Sequence, residues 1–164
     1  MLTGSVASST HGKPRSTLDI DVVISPTAPQ VRKLIQEFPS SDFYADEQQA
    51  LEALASRSQF NIIDFFSGWK VDFIIVEDSD YGRTAFARRK LMDVAGISFY
   101  VAAPEDVLIA KLRWAKMGAS ERQLQDAAGI LATLRSSLDC PYIERWVHEF
   151  GLEVQWQIVR DTPA

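Results

Sequence analysis

A chain of 164 residues that is 46% hydrophobic and carries a net charge of -5 is long enough to bury one core and too acidic to attract polynucleotides through bulk charge. No apolar run reaches the length of a membrane helix, no charged-then-apolar leader opens the sequence, and the single Cys140 excludes an internal disulfide framework. A cytoplasmic protein without membrane contact is expected.

Gly4-Ser5 stands almost at the start, followed by small residues that predict a short helix over 6–10. Its N-terminal amides and the bare glycine would let a phosphate approach closely. His11 reads as a turn residue, and Lys13 and Arg15 flank Pro14 in a loop, as solvated charges or as phosphate contacts. The stretch 18–24 predicts a strand in which Asp19 and Asp21 share one face and Leu18, Ile20 and Val22 the other. Two like charges on one face call for a cation, and a divalent metal is the obvious one.

Val31, Leu34, Ile35 and Phe38 have helical spacing, and Asp46 opens another helix with Gln49 as capping partner. The acidic group Asp42, Asp46 and Glu47 reads as solvated surface. Residues 59–66 and 69–76 predict a hairpin turning at Ser67-Gly68. The second of these strands carries a lone Asp72 in an apolar run, where a carboxylate needs a partner or a metal. Beside the first strand, it would complete a three-carboxylate cradle, with Lys70 on the same face. Arg83, Arg88, Arg89 and Lys90 form the strongest basic cluster, readable as a solvated helix face or as a patch for a nucleic acid. After a strand over 97–101, Pro104 begins a helix that Gly118 is expected to stop. Lys111 lies inside it on a partly apolar face, where lysines commonly reach back to solvent. Ser120 opens the next helix with Gln123 as its capping-box partner and Asp126 one turn further on. Cys140, as a packing residue, starts a last amphipathic helix carrying Trp146.

The ordered segments Gly-Ser-x-Ala-Ser (Gly4 to Ser8), Pro-Arg-x-Thr-x-Asp-x-Asp (Pro14 to Asp21), Phe-Asn-Ile-Ile (Phe60 to Ile63), Lys-Val-Asp-Phe (Lys70 to Phe73), Pro-Glu-Asp-x-x-x-Ala-Lys-Leu (Pro104 to Leu112) and Ser-Glu-Arg-Gln-x-x-Asp (Ser120 to Asp126) together resemble the nucleotidyltransferase superfamily related to DNA polymerase beta. Within it the chain is most similar to a bacterial group related to the nucleotidyltransferases of toxin-antitoxin systems. The resemblance implies an α/β (α+β) fold: a small mixed sheet with packed helices over 1–103, and a C-terminal helical bundle over 104–164 in the same compact unit. It also implies an N-terminal helix and strand ahead of the glycine turn, of which Leu2 and Thr3 alone stand here. The shortened strand is expected to leave an exposed edge or gap in the sheet, open to a second copy.

By the same resemblance the activity is transfer of a nucleoside monophosphate from an NTP to an acceptor hydroxyl. Two Mg2+ ions, or Mn2+, would sit on Asp19, Asp21 and Asp72, which are the catalytic residues. Gly4, Ser5, Arg15, Lys111 and Asp126 would contact the nucleotide. Relatives act on transfer RNA, proteins or small molecules, so RNA and an antitoxin remain open as partners. Relatives carry histidine in place of Asp64. An inert nucleotide-binding or regulatory module of the same fold is the competing reading.

Overall fold

The computed structural model describes residues 1–12, 16–94 and 96–162. Arg15 and Lys13 therefore lie outside the described residues. The order of elements is β1 (Leu2–Thr3), α1 (Gly4–His11), β2 (Asp19–Ile24), α2 (Ala28–Gln36), β3 (Phe43–Ala45), α3 (Glu47–Ser56), β4 (Gln59–Asp64), β5 (Lys70–Ile75), α4 (Asp80–Ala87), β6 (Lys90–Val94), β7 (Ile97–Val101), α5 (Pro104–Gly118), α6 (Glu121–Leu134), α7 (Cys140–Phe150) and α8 (Glu153–Asp161). The strands form one mixed seven-stranded sheet in the order β3-β4-β5-β2-β1-β7-β6. The expected α/β class is observed, and no helix among the described residues is long and apolar enough to cross a membrane.

β2 and β5 pair in parallel with Asp21 opposite Asp72 and Asp19 opposite Lys70. β4 and β5 form the expected antiparallel hairpin, with Phe60 opposite Phe73 and Asn61 opposite Asp72. Alternation then sorts the side chains. Phe60, Ile62 and Ile75 face α2 and α3, where Val31, Ile35, Ala50 and Ala53 complete one core, and Phe60 stacks on Phe73 at 5.2 Å. The carboxylates take the other face. Asp64, of opposite parity to Asn61, turns away from them and accepts hydrogen bonds from Ser67 and from the Phe66 amide at the hairpin turn.

The second core is helical. Leu108, Ile109 and Leu112 of α5 pack with Ile130 of α6, Ile143 and Trp146 of α7, and Trp156 and Val159 of α8. Each fully buried Leu or Ile stabilises the fold by about 1.5–3 kcal/mol. The helix of Trp146 is thus not the last, because Trp156 and Val159 give α8 its own buried stripe.

Three local expectations are corrected. β1 lies inside the sheet between β2 and β7, with the Met1 ammonium donating to Val23 O and Ala102 N to Leu2 O, so the edges are β3 and β6, and its join to β7 is the single pair Leu2–Val101. α5 stops at Gly118 as expected, but the left-handed cap that follows is Ala119, at φ 46°, and not the glycine. Ser120 makes no side-chain cap bond at the start of α6, which leaves Gln123 to another environment. β3, α4 and β6 were not separately legible as elements.

Candidate functional site

Gly4 carries φ +60°, and a Cβ added there would overlap the Asp21 carboxylate, lying 2.5 Å from Cγ and 2.9 Å from Cβ. Glycine alone permits both the backbone conformation and this approach. The turn brings the second amide of α1 onto the strand: Ser5 N–H donates to the Asp21 carboxylate. Beside it, across the parallel pair, stands Asp72, only 8% exposed.

From the opposite wall comes Lys111 of α5. It is 3% exposed and donates to Asp126 Oδ2 of α6 at 2.8 Å, so it does not run out to solvent. A cavity of about 220 Å³ is bounded by Gly4, Ser5, Asp21, Asp72, Lys111 and Gln123, among others. A second, mainly apolar cavity of about 270 Å³ adjoins it through shared walls at Thr3, Gln59, Ile74, Ala110 and Trp114.

The electrostatics match this crowding. Burial, and then the Asp72 carboxylate, raise the pKa of Asp21 above its ordinary 3.8, while the Ser5 amide and Lys111 pull the other way. Such a pair suits a hard divalent cation, which prefers carboxylate oxygens. Asp19 shares the face but is held differently: Lys70 Nζ lies 2.8 Å from Asp72 Oδ2 and 3.4 Å from Asp19 Oδ1. The hydrogen bond to Asp72 raises the Lys70 pKa. Among the described residues no group of three or more acidic, His or Cys side chains is arranged to hold a metal. The three-carboxylate cradle expected of Asp19, Asp21 and Asp72 is thus not assembled as one group: Lys70 bridges Asp72 and Asp19, and Asp21 and Asp72 are the two carboxylates that line the cavity and whose oxygens suit a hard cation.

Of the residues singled out from the sequence, Gly4, Ser5, Asp21, Asp72 and Lys111 meet at one cavity, Asp126 stands directly behind Lys111, and Asp19 stays at the rim. The three arginines of the basic cluster are each engaged by neighbouring side chains. Arg83 pairs with Asp78 and Asp80, Arg88 with Glu105 and Asp106, and Arg89 stacks over Phe86 and Tyr100. His11 Nε2 lies 2.8 Å from Ala102 O, at the end of α1. Sequence reasoning missed Gln123 and Gln59 at the cavity. The first was masked by its capping-box spacing, and the second carries only its register opposite Ile74 as a signal.

The mixed sheet with its packed helices has a counterpart among solved structures. A similar solved structure is that of an antigenic nucleotidyltransferase-like protein from Paracoccidioides brasiliensis, with 15% sequence identity, a TM-score of 0.53, and coverage of 97% of this chain and 83% of that one. The fold is nucleotidyltransferase-like. No protein-family model matches the chain, and no curated protein does. The nucleotidyltransferase-like fold thus rests on structural similarity over nearly the whole chain, and its chemistry must be argued from the side chains.

Proposed function

We propose that the protein is a metal-dependent nucleotidyltransferase that moves a nucleoside monophosphate from an NTP to an acceptor hydroxyl. The observation that carries this reading is the pairing of Asp21 with Asp72 across parallel strands, at a cavity walled by the Gly4-Ser5 turn and by buried Lys111. Asp21 and Asp72 would hold Mg2+ or Mn2+, joined by Asp19 where a second ion binds. Such an ion supplies charge neutralisation and polarises the transferring phosphate.

The protein's own groups do the rest. Amides at the start of α1 bind the phosphates. Lys111, kept in position by Asp126, offsets the triphosphate charge, and Arg15 is assigned to the same task by resemblance. The Asp72 carboxylate accepts the proton of the attacking hydroxyl. Positioning and charge stabilisation carry most of such a reaction. An RNA acceptor draws on the resemblance alone, because Arg83 and Arg88 are engaged with Asp78, Asp80, Glu105 and Asp106.

One observation favours the inert-module reading: the Lys70 ammonium bridges Asp19 and Asp72 where a cation would compete. Incubation with α-labelled NTPs, Mn2+ and candidate acceptors separates the two. Label transfer and pyrophosphate release in the wild type, lost in Asp72→Asn, support the enzyme. Nucleotide binding without transfer for any acceptor supports the inert module.

A further inference from the structure

The sheet face that carries the carboxylates changes character within one strand repeat. Asp21 stands opposite Asp72 on β5 and opposite Thr3 on β1. Two residues further along, about 7 Å away, the same face presents Val23 opposite Ile74. This apolar row floors the larger cavity, of about 270 Å³, which Ala85 and Phe86 of α4 and Trp114 and Met117 of α5 enclose. Trp114 and Met117 are 52% and 74% exposed, so the cavity is reached from solvent along α5, and Ile74 and Trp114 also line the carboxylate cavity. The two flanks of the carboxylates lie on opposite sides. β1 runs antiparallel to β2, so α1, which follows Thr3, lies towards Asp19, whereas the apolar row lies the other way. Phosphates at the start of α1 and a molecule on the Val23–Ile74 row would meet the carboxylates from opposite ends, the placing that in-line displacement requires of leaving and attacking oxygens.

The charged groups of the larger cavity are already engaged: Asp106 with Arg88 and Tyr142, Glu77 with Arg113, and the Met1 ammonium with Val23 O. A charged occupant would lose water without gaining a counter-charge. At the mouth Asp78 and Asp80 pair with Arg83, which leaves that arginine no surplus for backbone phosphates. A cavity of about 150 Å³ accepts one benzene ring, so this one suits a body of one or two rings. We propose that the larger cavity is the acceptor site, and that the acceptor is an uncharged small molecule with an apolar one- or two-ring body and a projecting hydroxyl. This rests on the nucleotidyltransferase reading above. The hydroxyl oxygen bonds to the α-phosphorus, the bond from that phosphorus to the pyrophosphate oxygen breaks, and the hydroxyl proton passes to the Asp72 carboxylate. The products are a phosphodiester of the alcohol and pyrophosphate.

The test uses the full chain with Mn2+, α-labelled NTPs and, as acceptors, naphthalenemethanol, glycerol and a short oligoribonucleotide with a free 3′ hydroxyl. Calorimetry reads binding of naphthalenemethanol and of each NTP. The variants are Ala85→Leu and Val76→Phe, at positions that line the larger cavity and not the carboxylate cavity; they fill it from α4 and from the sheet, and urea unfolding checks that each is folded. Naphthalenemethanol should bind the wild type and take label in preference to the other two acceptors. Either variant should bind it at least roughly tenfold more weakly, with NTP affinity kept within about twofold. Naphthalenemethanol that does not bind, takes no label, or binds the folded variants as tightly as the wild type overturns the assignment. A loss of NTP affinity as large as that of the alcohol would give the cavity to the nucleotide base, and preferred labelling of the oligoribonucleotide would make RNA the acceptor; each also overturns it. A folded wild type that binds the alcohol but no NTP would instead overturn the nucleotidyltransferase reading, and the acceptor role with it.

Discussion

Gly4→Ala is the substitution that most sharply separates a built site from an ordinary turn. The residue sits at φ +60°, and the new Cβ would overlap Asp21 Oδ2. A left-handed conformation costs a non-glycine residue roughly 1–2 kcal/mol. Displacing the carboxylate removes the Ser5 N–H bond to a charged acceptor, about 1.5–3 kcal/mol more. The sum, about 2.5–5 kcal/mol, is a large part of the stability of a domain this size. With a urea slope of about 2 kcal/mol/M, the midpoint should fall by about 1.2–2.5 M. Gly68→Ala is the control, because φ there is +72° with nothing within 4 Å of the added carbon, so the strain stands alone and the midpoint should fall by about 0.5–1 M. Urea unfolding by fluorescence reads both. Mn2+ titration should show affinity reduced more than about tenfold in Gly4→Ala and unchanged in Gly68→Ala. Equal midpoints for the two variants, with Mn2+ binding intact in both, would refute the close approach of Gly4 to Asp21 and its role.

Other outcomes follow from the same geometry. Lys70→Met should tighten Mn2+ binding about three- to tenfold by freeing Asp19 and Asp72, the effect of losing a partly solvated ion pair; weaker binding in calorimetry would contradict the competition. Because the folded pKa of Asp21 is raised above 3.8, Mn2+ affinity should decline as pH falls, starting above the ordinary carboxylate range, while the apo fold gains stability from this group over the same interval. In Asp21→Asn that gain should vanish from the unfolding profile. Arg88→Met leaves Glu105 and Asp106 without their cation and should cost roughly 2–4 kcal/mol, the lower side of a buried pair because Arg88 is partly solvated. Burial already holds the Asp106 pKa up, so protonation relieves the variant and its deficit in urea should shrink from pH 7 to pH 5. A constant deficit would show that the loss is one of packing over Tyr142, where the guanidinium stacks at 4.0 Å.

The parity of Asp19, Asp21, Lys70 and Asp72 was legible because strand alternation is a local rule. Which of the four would touch was not, since it depends on the parallel register of β2 and β5 and on a lysine choosing between two carboxylates. Arg88 looked like part of a patch because its acidic partners Glu105 and Asp106 lie more than a dozen residues downstream, whereas Arg83 pairs with Asp78 and Asp80 close by. Gln123 shows two signals in competition: capping spacing is a local statistic, whereas the cavity is assembled from α1, α5, α6 and four strands. α8 escaped notice because the exposed Val154 and Ile158 give its segment an alternating apolar pattern that obscures the helical spacing of Leu152, Trp156 and Val159, which bury against α5, α6 and α7.

The central claim is that Asp21 and Asp72 form a metal-nucleotide site. Titration calorimetry of Mn2+ with a non-hydrolysable NTP tests it most directly, on the wild type, Asp21→Asn and Asp72→Asn. Metal-dependent nucleotide binding in the wild type, lost in both variants while their folds survive urea unfolding, is the expected result. Binding that persists in the two variants, or no binding by the folded wild type with any of the four bases, would contradict it.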